Sequence, residues 1–290
     1  MSDDISEATA RNITRKSAYA DHVQIYNGVP LWSWLEINPT DFCNRSCSFC
    51  PHATPDKFPN LPLFMSAEVA QRMTAELIML KYEGAVVLSG FGEPLLHSAI
   101  VELCRSFGRV GCRFEIVTNG DRLSKDLVQD LVAAGVNFFV ISLYDHPDQV
   151  RVFREMFDSM GLDSTHYLLR DRWHGPDKQY GLKLTNRAGM VETGPQPPLR
   201  PDHPCHYPSY SMTVDWNGDV LLCMQDWSRR VRFGNVHDKT LLDIWSSPPF
   251  MRRRRDLMRR RDKAPCNGCN ADGMVHGKNH VEAWNAWGLI

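Results

Sequence analysis

No stretch of the sequence approaches the roughly 18 consecutive apolar residues a membrane-spanning helix requires, and no basic start followed by an apolar segment marks a signal peptide. An excess of charge is also missing. Thirty-three Lys and Arg against 34 Asp and Glu leave a formal net charge of -1, so no global field draws the chain to nucleic acid or to an anionic membrane. Internal repeats are absent, and low complexity is limited to a run of arginines. These absences predict a cytoplasmic protein with neither a membrane nor a nucleic-acid partner. At 290 residues the chain is long for one domain and short for two large ones. A fold of this size buries roughly 75% of its unfolded surface, so its core needs no stapling.

Cysteine, by contrast, is plentiful. Nine are many for a reducing compartment and too unevenly spaced for a secreted disulfide scaffold. Cys43, Cys47, Cys50, Cys205, Cys223, Cys266 and Cys269 sit among polar, Gly, Asn or Pro neighbours, where loops are expected. Cys104 and Cys112 flank apolar segments. The split predicts seven ligands and two core bystanders. The eleven histidines show no paired metal spacing; His52, beside the first cysteine group, is the one to watch.

Three regions follow from patterning. Residues 1–30 read as a polar N-terminal extension without a strong period. Residues 31–192 alternate strands and helices. The expected strands are Leu35 to Asn38, Ala85 to Ser89, Arg113 to Thr118, Asn137 to Ser142, Tyr167 to Arg170 and Leu182 to Thr185. Helices are expected from Ser66 to about Leu80 and near Ser98 to Phe107, Leu123 to Ala134 and Gln149 to Met156. Such alternation implies right-handed βαβ crossovers and a parallel sheet. Five or six strands are too few to close an eight-stranded barrel, so the fold class is α/β with a partial, open β/α barrel. Its site should lie at the C-terminal ends of the strands. Residues 193–290 begin with a proline-rich linker, followed by a hairpin turning at Trp216-Asn217-Gly218 and helices at Leu241 to Trp245 and Phe250 to Arg261.

Cys43-x3-Cys47-x2-Cys50 places three thiolates in one loop after the first strand. Iron–sulfur clusters normally take four cysteines, so three leave one iron open to a further ligand. The spacing differs from the repeated CxxC pairs of zinc ribbons, although a structural zinc site is the competing reading. This motif resembles the signature of the radical S-adenosyl-L-methionine (SAM) superfamily, with Phe49 as the aromatic residue usual before the third cysteine. By that resemblance Gly92 and Glu93, in Phe91-Gly92-Glu93-Pro94, belong to the segment that holds the methionyl amine of SAM. Phe91 there replaces the usual first glycine. Asn119 and Ser142 match positions that contact the SAM carboxylate or ribose.

Cys205, Cys223, Cys266 and Cys269 resemble the ligand set of SPASM or twitch domains, which carry auxiliary 4Fe–4S clusters; a zinc knot is the alternative. No cysteine follows Cys269, so a shortened twitch domain with one auxiliary cluster is expected. Two 4Fe–4S clusters and SAM are thus the implied cofactors, with a flavodoxin- or ferredoxin-type protein as reductant.

Over most of its length the chain is also similar to superfamily dehydrogenases that oxidise an aminocyclitol alcohol to a ketone. This implies an aminocyclitol or amino-sugar substrate in aminoglycoside-type biosynthesis. It places Arg187 at the reacting hydroxyl and Gln225 at a position where that group carries an acid. Gln225 can hydrogen-bond a hydroxyl but cannot pair with an ammonium ion. In the expected reaction a 5′-deoxyadenosyl radical takes the carbinol hydrogen atom, and the auxiliary cluster accepts the remaining electron. Radical epimerisation, peptide modification and a zinc-dependent nucleic-acid-binding protein are the competing functions. The basic run of Arg252 to Arg255 and Arg259 to Arg261 is expected to be a solvated face.

Overall fold

The computed structural model describes residues 7–172, 185–192 and 197–288. Strands β1 (Ile25–Tyr26) and β2 (Val29–Pro30) form a small hairpin. The main sheet is built from β3 (Trp34–Ile37), β4 (Ala85–Leu88), β5 (Arg113–Thr118), β6 (Phe138–Leu143), β7 (Tyr167–Asp171), β8 (Ser211–Val214), β9 (Asp219–Leu221) and β10 (Arg232–Asn235). Their order is β10-β9-β8-β3-β4-β5-β6-β7, with the six strands from β8 to β7 parallel and β9 and β10 antiparallel. β7 and β10 end the row and do not pair, so the parallel part is an open barrel, as the alternation predicts.

The strands owe their place to burial on both faces. β4 (Ala-Val-Val-Leu) and β6 (Phe-Phe-Val-Ile-Ser-Leu) are buried throughout, the pattern of strands covered on both sides. One face packs Leu35, Ile37, Val86, Leu88, Ile116 and Ile141 into the main core. The helices of that layer are α2 (Ala67–Met79), α3 (Ile100–Gly108), α4 (Lys125–Ala133) and α5 (Asp148–Asp158). Ser66 and Ser124 start α2 and α4 by accepting from the amides of Val69 and Leu127.

The other face is closed by α1 (Glu7–Ala20), a helix in the segment expected to be a polar lead. Ala20 joins Trp34, Ala85, Val87 and Tyr210 in a second buried cluster. Its charged residues go inward as well: Lys16 lies 4.7 Å from the centre of the Trp34 ring and 3.9 Å from Glu36, and Arg15 pairs with Glu115. A helix whose buried side carries Arg and Lys reads as solvated in sequence, which is why it was not foreseen.

The proline-rich segment does not lead to a separate sheet. The hairpin expected around Asn217-Gly218 is β8–β9, and β8 lies parallel against β3 with Trp34 opposite Ser211 and Ile37 opposite Val214. Beyond it lie α6 (Tyr207–Tyr210), α7 (Leu241–Trp245), α8 (Pro248–Leu257) and α9 (Lys278–Ala286). Of the strand expected at Leu182 to Thr185, residues 182–184 lie outside the described residues.

The basic run also departs from expectation. Arg252, Arg255, Arg259 and Arg260 are exposed, but Arg254 and Arg261 are buried. Arg254 donates to the carbonyls of Pro208 (2.8 Å) and Trp245 (3.2 Å) and lies 3.9 Å from the centre of the Trp284 ring. Arg261 donates to the carbonyls of Pro204 and Ala271. Both fasten loops by satisfying buried carbonyls, a task suited to a planar guanidinium with five donors.

Candidate functional site

The three-cysteine loop leaves the C-terminal end of β3, and three neighbouring strand ends hold it. Asn38, just past β3, donates to Asp41 (2.9 Å) and Asp215 (2.8 Å) and accepts from the amide of Phe91 (2.8 Å). The loop after β4 then runs against the backbone leading to Cys43. The Glu93 amide donates to the Phe42 carbonyl at 2.9 Å, and a side chain at Gly92 would collide with the carbonyls of Thr40 and Phe42. Glycine at 92 is therefore fixed by close backbone approach.

Glu93 is buried, and its carboxylate receives the Thr118 hydroxyl (2.6 Å) and the amides of Asn119 (2.8 Å) and Leu95 (3.0 Å). All three donors are neutral. Burial pushes the carboxyl up to about 7, against the pull of these hydrogen bonds. A buried carboxylate so placed has the chemistry to accept a ligand ammonium.

Asn119, at the end of β5, directs its side chain to the cysteine loop: Nδ2 donates to Asn44 (2.9 Å), and Oδ1 accepts from the Asp121 amide (3.0 Å). Ser142 on β6 is buried and accepts from Arg170 Nη2 at 2.8 Å. Phe49 stacks on Tyr144, ring centres 5.7 Å apart.

A clamp centred on Arg45 was missed in the sequence. Its guanidinium, inside the cysteine loop, pairs with Asp121 after β5 and Asp145 after β6, with bonds of 2.5 to 2.8 Å. These pairs hold Arg45 in its charged form and lower Asp145. Only its position between the first two cysteines could have hinted at it. His52 is a packing residue: buried between Phe58 and Trp227, it bonds the Phe91 carbonyl through Nε2 at 2.7 Å.

The other four cysteines also converge. The Cys205, Cys266 and Cys269 thiols all act electrostatically on Cys223. Gly273 leaves room for them, since a Cβ there would meet Cys205 Sγ at 2.5 Å. Arg253 donates to Cys266 Sγ at 3.4 Å. Arg187 lies near both sets, and Gln225 follows two residues after Cys223. Gln225 accepts from the Thr185 hydroxyl at 3.0 Å, and the Arg187 guanidinium sits 6.0 Å from the centre of the Trp227 ring. Arg187 acts electrostatically on Cys50 of the first set and on Cys269 of the second.

Thiol chemistry tests whether these residues suit metal clusters. All seven cysteines are free. Burial pushes Cys43 and Cys205 up to about 12 and Cys47 up to about 11. A thiolate at such a position needs a cation beside it, which iron supplies. Both sets fit clusters by number and kind of donor: three half-buried thiols at the strand-end rim, and four that act on one another, two of them buried.

Residues 37–159 match the family model of the radical SAM superfamily, and residues 205–270 match that of SPASM, an iron-sulfur cluster-binding domain. The chain carries a radical SAM domain followed by a SPASM domain. It is 27% identical over 252 residues to the S-adenosyl-L-methionine-dependent 2-deoxy-scyllo-inosamine dehydrogenase of Niallia circulans, spanning 83% of this chain and 93% of that protein. A GTP 3′,8-cyclase of Marinobacter nauticus is 31% identical over 112 residues, 38% of this chain and 33% of the cyclase. In fold, the chain is similar to the crystal structure of BtrN in complex with AdoMet and 2-DOIA, with TM-score 0.72 and 24% identity over 86% of this chain and 97% of that one. The radical SAM domain implies a SAM-binding 4Fe–4S cluster and the SPASM domain an auxiliary one, so this is a radical SAM enzyme. No helix among the described residues is long and apolar enough to cross a membrane.

Proposed function

We propose that this enzyme oxidises a carbinol carbon of an aminocyclitol or amino sugar to a ketone, in the cytoplasm, with a flavodoxin- or ferredoxin-type protein as reductant. The observation that carries the reading is the place of Arg187 between the two cysteine sets, close enough to act on a thiol of each. A substrate held there would have the hydrogen-abstracting site on one side and an electron acceptor on the other. The likeness to the Niallia circulans dehydrogenase over most of both chains points to the same reaction.

Cys43, Cys47 and Cys50 would hold the SAM-bearing cluster, which when loaded supplies an oxidant able to take a hydrogen atom from a C–H bond. Glu93 and the Gly92 backbone would take the methionyl amine, Ser142 with Arg170 the carboxylate, and Asn119 would keep the strand end and the cysteine loop in register. Phe49 would brace the loop against Tyr144. Arg187 would hold the substrate oxygen by hydrogen bonding and favour its deprotonation through charge, since a guanidinium does not itself give up a proton. Gln225 would orient a second hydroxyl. Cys205, Cys223, Cys266 and Cys269 would hold the acceptor cluster. The alcohol thus loses one hydrogen atom, one proton and one electron.

Epimerisation would need a hydrogen-atom donor near the substrate, commonly a thiol. Cys104 is buried in α3, and Cys112 precedes Arg113 at the N-terminal end of β5. At about 3.3 Å per residue, that end is roughly 20 Å from the rim where Asn119 lies. Neither spare thiol is placed to serve.

The test is an anaerobic assay of reconstituted enzyme with SAM, dithionite and a panel of aminocyclitols and amino sugars in deuterated water. It follows 5′-deoxyadenosine together with product mass. The expected product is two hydrogens lighter than its substrate. An isomer carrying solvent deuterium would overturn dehydrogenation.

A further inference from the structure

Three arginines crowd the rim beside the first cysteine set. Arg170 and Arg172 are two residues apart at the end of β7, so they share a strand face. Arg170 stands opposite Ser142 in the register of β6 and β7. Arg187 begins the short turn Arg187–Gly189, where it and Ala188 take left-handed backbone angles, φ 47° and 52°. That conformation is costly for residues with a Cβ and persists where the surroundings hold it.

The three form one group of like charge. Burial lowers Arg170 and Arg172, and the neighbouring guanidiniums lower them further: Arg172 and Arg187 act on Arg170, and Arg187 acts on Arg172. The Nε atoms of all three are buried and have no hydrogen-bond partner among the described residues. Arg170 spends one donor on Ser142, whereas the guanidiniums of Arg172 and Arg187 make no hydrogen bond among the described residues. Of the groups acting on Arg172, the acidic ones are Tyr144, Asp171 and the Cys47 thiol. The side chain at 225 is a neutral amide held by Thr185. SAM brings one carboxylate, which the function proposed above gives to Ser142 with Arg170.

We propose that the substrate carries an oxyanion, a carboxylate or a phosphate ester, clamped by Arg172 and by one edge of Arg187, whose remaining donors serve the reacting oxygen. Two guanidiniums whose donors are unused among the described residues match an oxyanion in charge and geometry. An ammonium group in their place would meet like charge with no carboxylate from Gln225 to offset it. The substrate is then an aminocyclitol or amino sugar that also bears an acidic group, with its ammonium away from these guanidiniums. This rests on the reading above for where the substrate lies, and not for what happens to its C–H bond.

The test is equilibrium binding by calorimetry to cluster-loaded enzyme with saturating SAM and no reductant, so that no turnover occurs. The probes are myo-inositol, myo-inositol 1-phosphate, glucosamine, glucosamine 6-phosphate, glucose and glucuronate. At least one of the phosphate and carboxylate probes should bind tenfold or more tighter than its neutral or cationic counterpart, and added salt should weaken that preference. Arg172→Gln should reduce it to less than about threefold with SAM affinity unchanged, and Arg172→Lys should restore part of it. Cluster absorbance and thermal melting check that each variant is folded. Parent compounds binding as tightly as their acidic derivatives would overturn the proposal, as would an Arg172→Gln enzyme with the preference intact or with SAM binding lost instead. Tight binding of an acidic probe without a ketone product in the turnover assay would count against dehydrogenation alone.

Discussion

The two cysteine sets differ in how they are built, and the difference matches what each must do. The first lies in a single loop of eight residues, Cys43 to Cys50, with thiols half-buried at the strand-end rim. It is held from outside, by the loop at Gly92 and Glu93 and by the Arg45 clamp. The second draws its thiols from three separated segments, and Cys266 and Cys269 are buried. It is held from within, by Arg253 on Cys266 and by the close approach of Gly273 to Cys205. A site that must admit SAM needs an open side and firm walls. A site that only passes an electron is better closed to solvent.

The sharpest way to break this contrast is to remove one thiol from each set. Cys47→Ala should abolish cleavage of SAM, a loss of at least about a thousandfold in 5′-deoxyadenosine formation, because an incomplete site cannot hold the cluster that reacts. Cys266→Ala should keep the first set's iron and form 5′-deoxyadenosine while losing the ketone. Iron content and the two products, measured side by side, separate the roles. Full ketone formation by a folded Cys266→Ala enzyme would remove the second set from the reaction.

Much of this contrast was legible in the sequence. Cysteine spacing identified both sets, because thiolate ligands must be clustered in the chain or brought together by it. Apolar runs separated by helical periods gave the strands from β3 to β7. Other parts were hidden for definite reasons. The pairing of β8 with β3 joins residues some 180 positions apart, and nothing local encodes it. In α1, Arg15 and Lys16 look like surface residues, and only Glu36 and Glu115 across the sheet make them buried ones. Arg254 and Arg261 read as part of a solvated run because the carbonyls they satisfy belong to distant loops. The Arg45 clamp is invisible until Asp121 and Asp145 meet on neighbouring strand ends.

A smaller effect separates the regions by pH. His276 and His280, close to the second set's end of the chain, are buried, and burial lowers both from 6.5 to about 4. His276 meets Ser17 of α1 at 3.2 Å. The folded state therefore holds both rings neutral, and unfolding lets them take up protons. Their contribution to stability is fully present above pH 6.5 and is lost as the pH falls towards 4. At pH 5 the loss is about 2 kcal/mol per imidazole as an upper figure. Hydrogen exchange should show α1 and α9 loosening between pH 7 and pH 5 while the Gly92 loop stays protected. His52, beside the first set, already has Nε2 bonded to the Phe91 carbonyl. Equal protection of α1 and α9 at both pH values would show that these rings titrate without strain.

The smallest expected effect tests whether the first set depends on its outer walls. Arg45→Gln removes the charge that ties the loop to Asp121 and Asp145 but leaves the Arg45 backbone amide, which lies 3.5 Å from Cys43 Sγ. Asp145 is half-exposed and Arg45 partly so, and solvent screening trims what such pairs contribute, here to about 1 kcal/mol. That corresponds to roughly a fivefold rise in the KM for SAM, with kcat and the ratio of ketone to 5′-deoxyadenosine unchanged. Arg45→Lys, which keeps the charge without the fork, should recover part of the loss. The electron paramagnetic resonance signal of the second set should not move, because the clamp does not reach it. A collapse of kcat with KM unchanged would mean that Arg45 acts on the reaction itself, and the first set's walls would then be part of its chemistry.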